Sequence, residues 1–333
     1  MIVQALVVIV GFALLVVGAD ALVEGASRIA ARVGLSERVI GLTVVAIGTC
    51  MPEIVVSVTS AAQGHADMAF GNVAGSCMAN LLLILGLSAV VSPLPLSRRT
   101  TRFEIPASIA AVAALLVASN MGGRLDRTGG MALLALFVAF VAWTVACGMR
   151  SDAQGEPVAD ELPGDPDDGR DGHDGRVMGL RVSDSPVATA LLVAGGIALL
   201  KLGADQVVGG ATSIAGALGV SERVIGITVV ALGTCLPELV TSVVAAARGN
   251  ADLAIGNVLG SNVANVLLVM GVPALFSPIA FDPVYNLHFA AVMLGSLMLA
   301  GFAFVDRRHT MTRRDGVVFV VLYALYVAVG ALS

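Results

Sequence analysis

The chain has 333 residues, of which 57% are hydrophobic and only 13% charged, with a formal net charge of −5 and a mean hydropathy of +0.92. A water-soluble protein of this size cannot cover so much apolar surface with so few charges, so a soluble globular enzyme is excluded and a polytopic membrane protein is expected, with the lipid bilayer as its solvent. Ten of the 24 acidic residues crowd into one linker, so the net charge points to no nucleic-acid partner.

A membrane span needs about 20 apolar residues, and about ten such stretches follow one another along the chain. They fall near 3–26, 39–63, 68–91, 104–120, 129–149, 186–209, 224–247, 253–276, 286–305 and 315–332. The first is apolar from its start and has no basic n-region, so it reads as a span rather than a removed signal peptide. Cys50, Cys77, Cys147 and Cys235 all sit inside apolar runs, which argues against a disulfide framework and against structural zinc. The one long break, 150–185, is rich in Asp, Gly and Pro and cannot bury enough apolar surface to fold alone. It is expected to be a disordered linker between a first half at 1–149 and a second at 186–333.

The halves are copies. At a constant offset of 185, Gly18-Ala19-Asp20 matches Gly203-Ala204-Asp205, and Ser36-Glu37-Arg38-Val39-Ile40-Gly41 matches Ser221-Glu222-Arg223-Val224-Ile225-Gly226. Ala46-Ile47-Gly48-Thr49-Cys50-Met51-Pro52-Glu53 matches Ala231-Leu232-Gly233-Thr234-Cys235-Leu236-Pro237-Glu238 in the same register. Five spans per half is an odd number, so the copies must sit in opposite orientations. The expected fold is therefore an all-α integral membrane protein of two inverted-topology repeats of five helices, with a site where they meet. Arginine counts orient it: fifteen arginines fall on one side, against Arg124, Arg127 and Arg223 on the other. The basic side is expected to be cytoplasmic, which places the linker inside the cell and both termini outside the inner membrane.

A glutamate within an apolar span costs about 2–3 kcal/mol to insert, so finding one in each repeat points to function. Ala46, Thr49, Cys50 and Glu53 recur at helical spacing and share one face. Pro52 donates no backbone hydrogen bond and clashes with the preceding turn, so carbonyls around Ala46–Gly48 are expected to be free for an ion. Ala231, Thr234, Cys235 and Glu238 repeat the arrangement. The next span in each half adds Ser76 with Asn80, and Ser261 with Asn265, each pair one helical turn apart. Carbonyl, hydroxyl and carboxylate oxygens together suit a hard cation such as Na⁺ or Ca²⁺.

These motifs resemble the calcium/cation antiporter superfamily, most closely its bacterial sodium/calcium exchanger branch. The signature there reads G-T-S-x-P-E in the second and seventh helices and G-N-x-x-G-S-N in the third and eighth. The resemblance implies that Glu53 and Glu238, with the carbonyls of Thr49 and Thr234, hold Ca²⁺ centrally. It further implies that the carbonyls of Ala46 and Ala231, with Ser76, Asn80, Ser261 and Asn265, complete flanking Na⁺ sites. The first and sixth helices would slide as a unit to expose the site alternately to each side. Ca²⁺ and Na⁺ are then transported partners; no resident cofactor and no protein partner is implied.

The chain departs from that signature at Cys50 and Cys235, where the family carries serine, and at Cys77, where it carries asparagine. A thiol is a poor ligand for a hard cation, so the departures bear on the coupling ion. Two ionised glutamates can equally be met by two protons, which leaves a Ca²⁺/H⁺ antiporter as the alternative, and a passive cation channel as another. An intramembrane enzyme would need a nucleophile–base pair or metal motif, and neither G-x-S-x-G nor H-E-x-x-H occurs. Lys201, one turn before Asp205, is expected to pair with it and to reach toward the outer interface.

Overall fold

Runs of Leu, Val, Ala and Ile in a medium without water leave the backbone little choice but helix, because each N–H and C=O must find its partner within the segment. The computed structural model describes residues 2–153, 176, 177, 180, 181, 183, 185–218, 231–305 and 309–332. In the first repeat it forms α1 (Ile2–Val33), α2 (Glu37–Thr49), α3 (Met51–Ala62), α4 (Ala66–Val91), α5 (Thr100–Asn120) and α6 (Arg127–Ala153). The second forms α7 (Pro186–Ala217), α8 (Ala231–Thr234), α9 (Leu236–Ala247), α10 (Ala251–Phe276), α11 (Tyr285–Val305) and α12 (Arg313–Leu332). Seven of these helices are each long and apolar enough to cross a membrane, and α2 with α3 makes an eighth span, bent by 46°. The fold is that of an all-α membrane protein. The matched segment Ser221–Gly226 and linker residues 154–175 lie outside the described residues.

Short strand pairs and polar contacts show that the repeats are inverted. Leu94–Pro95 (β1) pairs with Thr310–Met311 (β6), while Arg124–Leu125 (β2) pairs with Ile279–Ala280 (β5), the copy of β1. Asp252, at the start of α10, binds Arg38 at the start of α2, and Arg38 also binds Ser97 beyond the end of α4. The start of α10 therefore lies at the end of the molecule where α4 finishes. Asp67, the copy of Asp252, lies at the other end, where its carbonyl accepts a 2.8 Å hydrogen bond from the Tyr285 hydroxyl. Arg28, Arg38, Arg99 and Arg248 all belong to the first of these ends, hereafter the basic end.

The layers follow from burial. The most apolar windows of α4 and α10 are 78% and 83% buried, against 22% for α1 and 28% for α7. Thus α4 and α10 form the centre, while α1 and α7 lie outside with one face toward lipid. Those two outer helices pack on each other along glycines spaced by seven: Gly11, Gly18 and Gly25 on α1, and Gly196, Gly203 and Gly210 on α7. A Cβ on Gly203 would stand 2.7 Å from the Gly11 carbonyl oxygen, and one on Gly18 would stand 2.8 Å from the Leu200 nitrogen. Only glycine allows backbones this close, and such seams are how helices associate in lipid.

Two helix ends and one stretch of the linker differ from the sequence expectations. α1 continues to Val33 rather than stopping near 26, because Asp20, Glu24 and Arg28 are surrounded by protein instead of lipid. α6 runs to Ala153. Within the stretch expected to be an unstructured linker, Arg176–Val177 (β3) pairs with Leu180–Arg181 (β4).

Candidate cation-binding site

Both repeats break a helix at the same residue. The chain leaves helical geometry at Cys50 (φ −76°, ψ 2°) and at Cys235 (φ −85°, ψ 0°). A new helix starts immediately, α3 or α9, with proline and then glutamate in its first turn. Proline fits a first turn because its missing N–H has no intrahelical role there, and a carboxylate at that position meets the positive end of the helix dipole. Glu53 and Glu238 are thus aimed by helix N-termini into the centre, where they are 0% and 1% exposed.

The two repeats face each other across this point. Thr234 and Cys235 approach Glu53, and Thr49 and Cys50 approach Glu238. Among the described residues, no donor stands within ordinary hydrogen-bonding geometry of the four carboxylate oxygens. The Cys50 sulphur donates across the repeat boundary to the Ser261 carbonyl oxygen at 3.8 Å, and the Cys235 sulphur to the Ser76 hydroxyl at 3.4 Å. The Thr49 hydroxyl lies 3.3 Å from both the Ala46 carbonyl oxygen and Asn257 Oδ1.

Further buried polar atoms gather on the same helices. Among the described residues, both side-chain polar atoms of Asn80, Asn265 and Asn262, and the Ser261 hydroxyl, lack protein partners. Asn80 and Asn265 lie in π-helical turns, Ala79–Ile84 and Asn265–Val269, a local widening that recurs at functional sites. Buried polar groups are ordinarily satisfied, since each orphan costs about 1–3 kcal/mol. Buried carboxylate, amide and hydroxyl oxygens without protein partners among the described residues fit a hard cation.

Every predicted side chain that the structure describes here is buried or half-buried: Ala46, Thr49, Cys50, Glu53, Ser76, Asn80, Thr234, Cys235, Glu238, Ser261 and Asn265. For Ala231 only the backbone is described, opening α8. One expectation is corrected. The Ala46 carbonyl is not freed by Pro52, because it accepts the Cys50 N–H at 3.1 Å. The residue four before Pro52 is Gly48, so the hydrogen bond that proline removes is that of Gly48. The second lone pair of Ala46 faces the Thr49 hydroxyl at 3.3 Å, which can turn its proton to Asn257 Oδ1 instead.

The sequence reading passed over a set of braces. Asn72 Nδ2 donates to Ser57 Oγ at 3.1 Å and to the Glu53 carbonyl oxygen at 3.4 Å. Its copy Asn257 does the same toward Ser242 at 2.9 Å and Glu238 at 3.5 Å. These asparagines tie the turn that carries each glutamate to the neighbouring helix. Their signal was present, since each asparagine and serine recurs at the repeat offset. Cys77 is buried with its sulphur 3.9 Å from the Asn262 carbonyl oxygen. Lys201 pairs with Asp205 at 2.6 Å, and both are exposed.

Residues 3–146 and 188–331 each match the family model described as sodium/calcium exchanger protein. The chain belongs to the sodium/calcium exchanger family. It is 34% identical over 307 residues to the inner membrane protein YrbG of Escherichia coli, covering 90% of this chain and 88% of that protein. Over 350 residues it is 32% identical to the sodium/calcium exchanger MaX1 of Methanosarcina acetivorans, covering 98% of each. The solved structure of the sodium-calcium exchanger NCX_Mj, soaked with Na⁺ and Ca²⁺, superposes with a TM-score of 0.79 at 31% identity, covering 98% of each chain. Membership of this exchanger family makes the protein an exchanger-type cation antiporter, a membrane transporter and not an enzyme.

Proposed function

We propose that the chain exchanges Ca²⁺ for Na⁺ by alternating access, with one Ca²⁺ held between Glu53 and Glu238 where the repeats meet. The observation that carries this reading is the pair of buried carboxylates, one from each repeat, whose four oxygens have no hydrogen-bond donor in ordinary geometry among the described residues. Two ionised glutamates supply −2, which one Ca²⁺ neutralises; carbonyls of Thr49 and Thr234 would add neutral oxygens. Flanking Na⁺ would be met by the carbonyls of Ala46 and Ala231 and by Ser76, Asn80, Ser261 and Asn265. The basic end faces the cytoplasm on the positive-inside rule, with both termini and β2–β5 outside.

The test is isotopic Ca²⁺ uptake into inside-out vesicles under separately imposed Na⁺, K⁺ and H⁺ gradients. Uptake driven by Na⁺ is expected. Flux under no gradient would end the exchanger reading, and flux indifferent to any counter-ion would make the protein a channel.

A second coupling, Ca²⁺ against two H⁺, is favoured by one specific observation. Both motif serines are replaced by thiols, and each thiol is engaged with a serine of the opposite repeat. That arrangement offers Na⁺ a sulphur where it prefers oxygen. Replacing Cys50 and Cys235 together by serine is expected to lower the Na⁺ concentration for half-maximal Ca²⁺ uptake about tenfold, the worth of roughly 1.4 kcal/mol of restored oxygen ligation. An unchanged Na⁺ dependence in the double variant would place the two side chains off the ion path.

A further inference from the structure

We propose that Arg248 is a latch that holds the basic end of the molecule shut by clamping α1 to the core. The inference rests on the two-sided access proposed above, and not on which ions are exchanged.

Arg248 stands in the turn between α9 and α10, on the core side. Its guanidinium binds Asp20 and lies 3.5 Å from Glu24, both on α1. Glu24 is fully buried and also accepts from Arg28 Nε at 2.8 Å. Arg28, 2% exposed, donates onward to the Ser183 carbonyl oxygen at 2.8 Å, so the end of the linker joins the same cluster. Beside it, Asn250 Nδ2 donates to Ser27 Oγ at 3.4 Å. The Arg248 guanidinium meets Asp20 and Glu24 only while α1 lies against the α9–α10 turn. Moving α1 away would strand buried charges, which is the costly way to break an ion pair.

The opposite end has the same backbone without the clamp. The turn that matches the Arg248 turn carries Gly64, with the same φ of +78° as Gly249. The repeat copies of Asp20, Glu24, Arg28 and Arg248 are Asp205, Gly209, Ser213 and Gln63. Asp205 pairs with Lys201 of its own helix. The Ser213 hydroxyl bonds back to the Gly209 carbonyl oxygen at 2.8 Å, and Gln63 is exposed. Among the described residues, α7 makes no ion pair to the core at that end. Since the glycine seam joins α1 and α7 into one body, a clamp on α1 alone biases the position of both.

Hydrogen–deuterium exchange of the full chain in lipid nanodiscs, without ions and with Ca²⁺, tests the latch independently of transport. Arg248→Gln installs the residue that the opposite end already carries. It is expected to speed exchange about tenfold or more in peptides covering 20–33 and 248–253, and to slow it in peptides covering 60–68 and 210–218. That reciprocal change marks a shift from access at one end to access at the other. Faster exchange at the basic end alone, or no change, would overturn the latch. Asp20→Asn is the second variant, with the same expected pattern, and Arg248→Lys is expected to restore the wild-type profile. Failure of Ca²⁺ flux with the reciprocal pattern intact would reject the ion assignment and leave the latch standing.

Discussion

Glu53→Gln or Glu238→Gln is expected to abolish Ca²⁺ binding and, at the same time, to raise the melting temperature of the ion-free protein. Each glutamate is fully buried with both oxygens unpartnered. In the ion-free protein the pair is a liability, since two like charges sit near each other away from water and without donors. Ca²⁺ turns the same pair into an asset. Removing one member of a buried, compensated charge set costs about 3–5 kcal/mol, more than a hundredfold in affinity. A neutral amide of the same shape removes one charge from the repulsion without opening a cavity, so the ion-free variant gains what the ion-bound one loses. Differential scanning fluorimetry over a Ca²⁺ titration reads both effects. Wild type is expected to shift upward with Ca²⁺ by the logarithm of occupancy, while the variants start higher and do not move. A variant that melts lower in the absence of ions would show that the carboxylates are satisfied by the protein and not by a cation.

That signature was legible in the sequence because its cost is composition-independent: a carboxylate and a proline in an apolar run, present twice, admit few structural explanations. The inverted fold was legible for a similar reason, since odd spans and a gapless offset fix the relative orientation of the copies. The braces at Asn72 and Asn257 were not picked out, because a polar residue near a site looks the same whether it faces the ion or a neighbouring serine. Which carbonyl Pro52 releases was misjudged because a helix break has a direction. Ala46 keeps its bond with Cys50, while the carbonyl of Gly48, four residues before the ring, is the one that loses its donor. The latch is not legible in the repeat, because the copy of Arg248 is Gln63. Arg248 also lies 228 residues from its partner Asp20, too far for any local spacing to flag the pair.

Gly260→Ala should weaken ion binding although it touches no ion, because of what the added methyl would meet. A Cβ on Gly260 of α10 would stand 2.6 Å from the Leu42 carbonyl oxygen, 2.7 Å from Leu42 Cα and 2.9 Å from Ala46 Cβ. None of these is the free end of a flexible side chain, so relief requires α2 to move away from α10. Overpacking of this kind costs about 1–3 kcal/mol. α2 is the half-helix that presents the Ala46 carbonyl and Thr49, and it leads directly into Cys50. The contacts of Thr49 with Asn257 and of Cys50 with Ser261 cross the same interface. Displacing α2 by a few tenths of an ångström therefore strains the oxygens set in α2 against those in α10. About a tenfold loss of apparent affinity for the coupling ion is expected, with the protein still assembled. Gly195→Ala on α7 is the matched control, because a methyl there meets nothing within 4 Å. It should leave affinity unchanged and add up to about 1 kcal/mol of helix stability. Equal affinities in the two variants would mean that the site is built without close contact between α2 and α10, and that the glycine serves assembly alone.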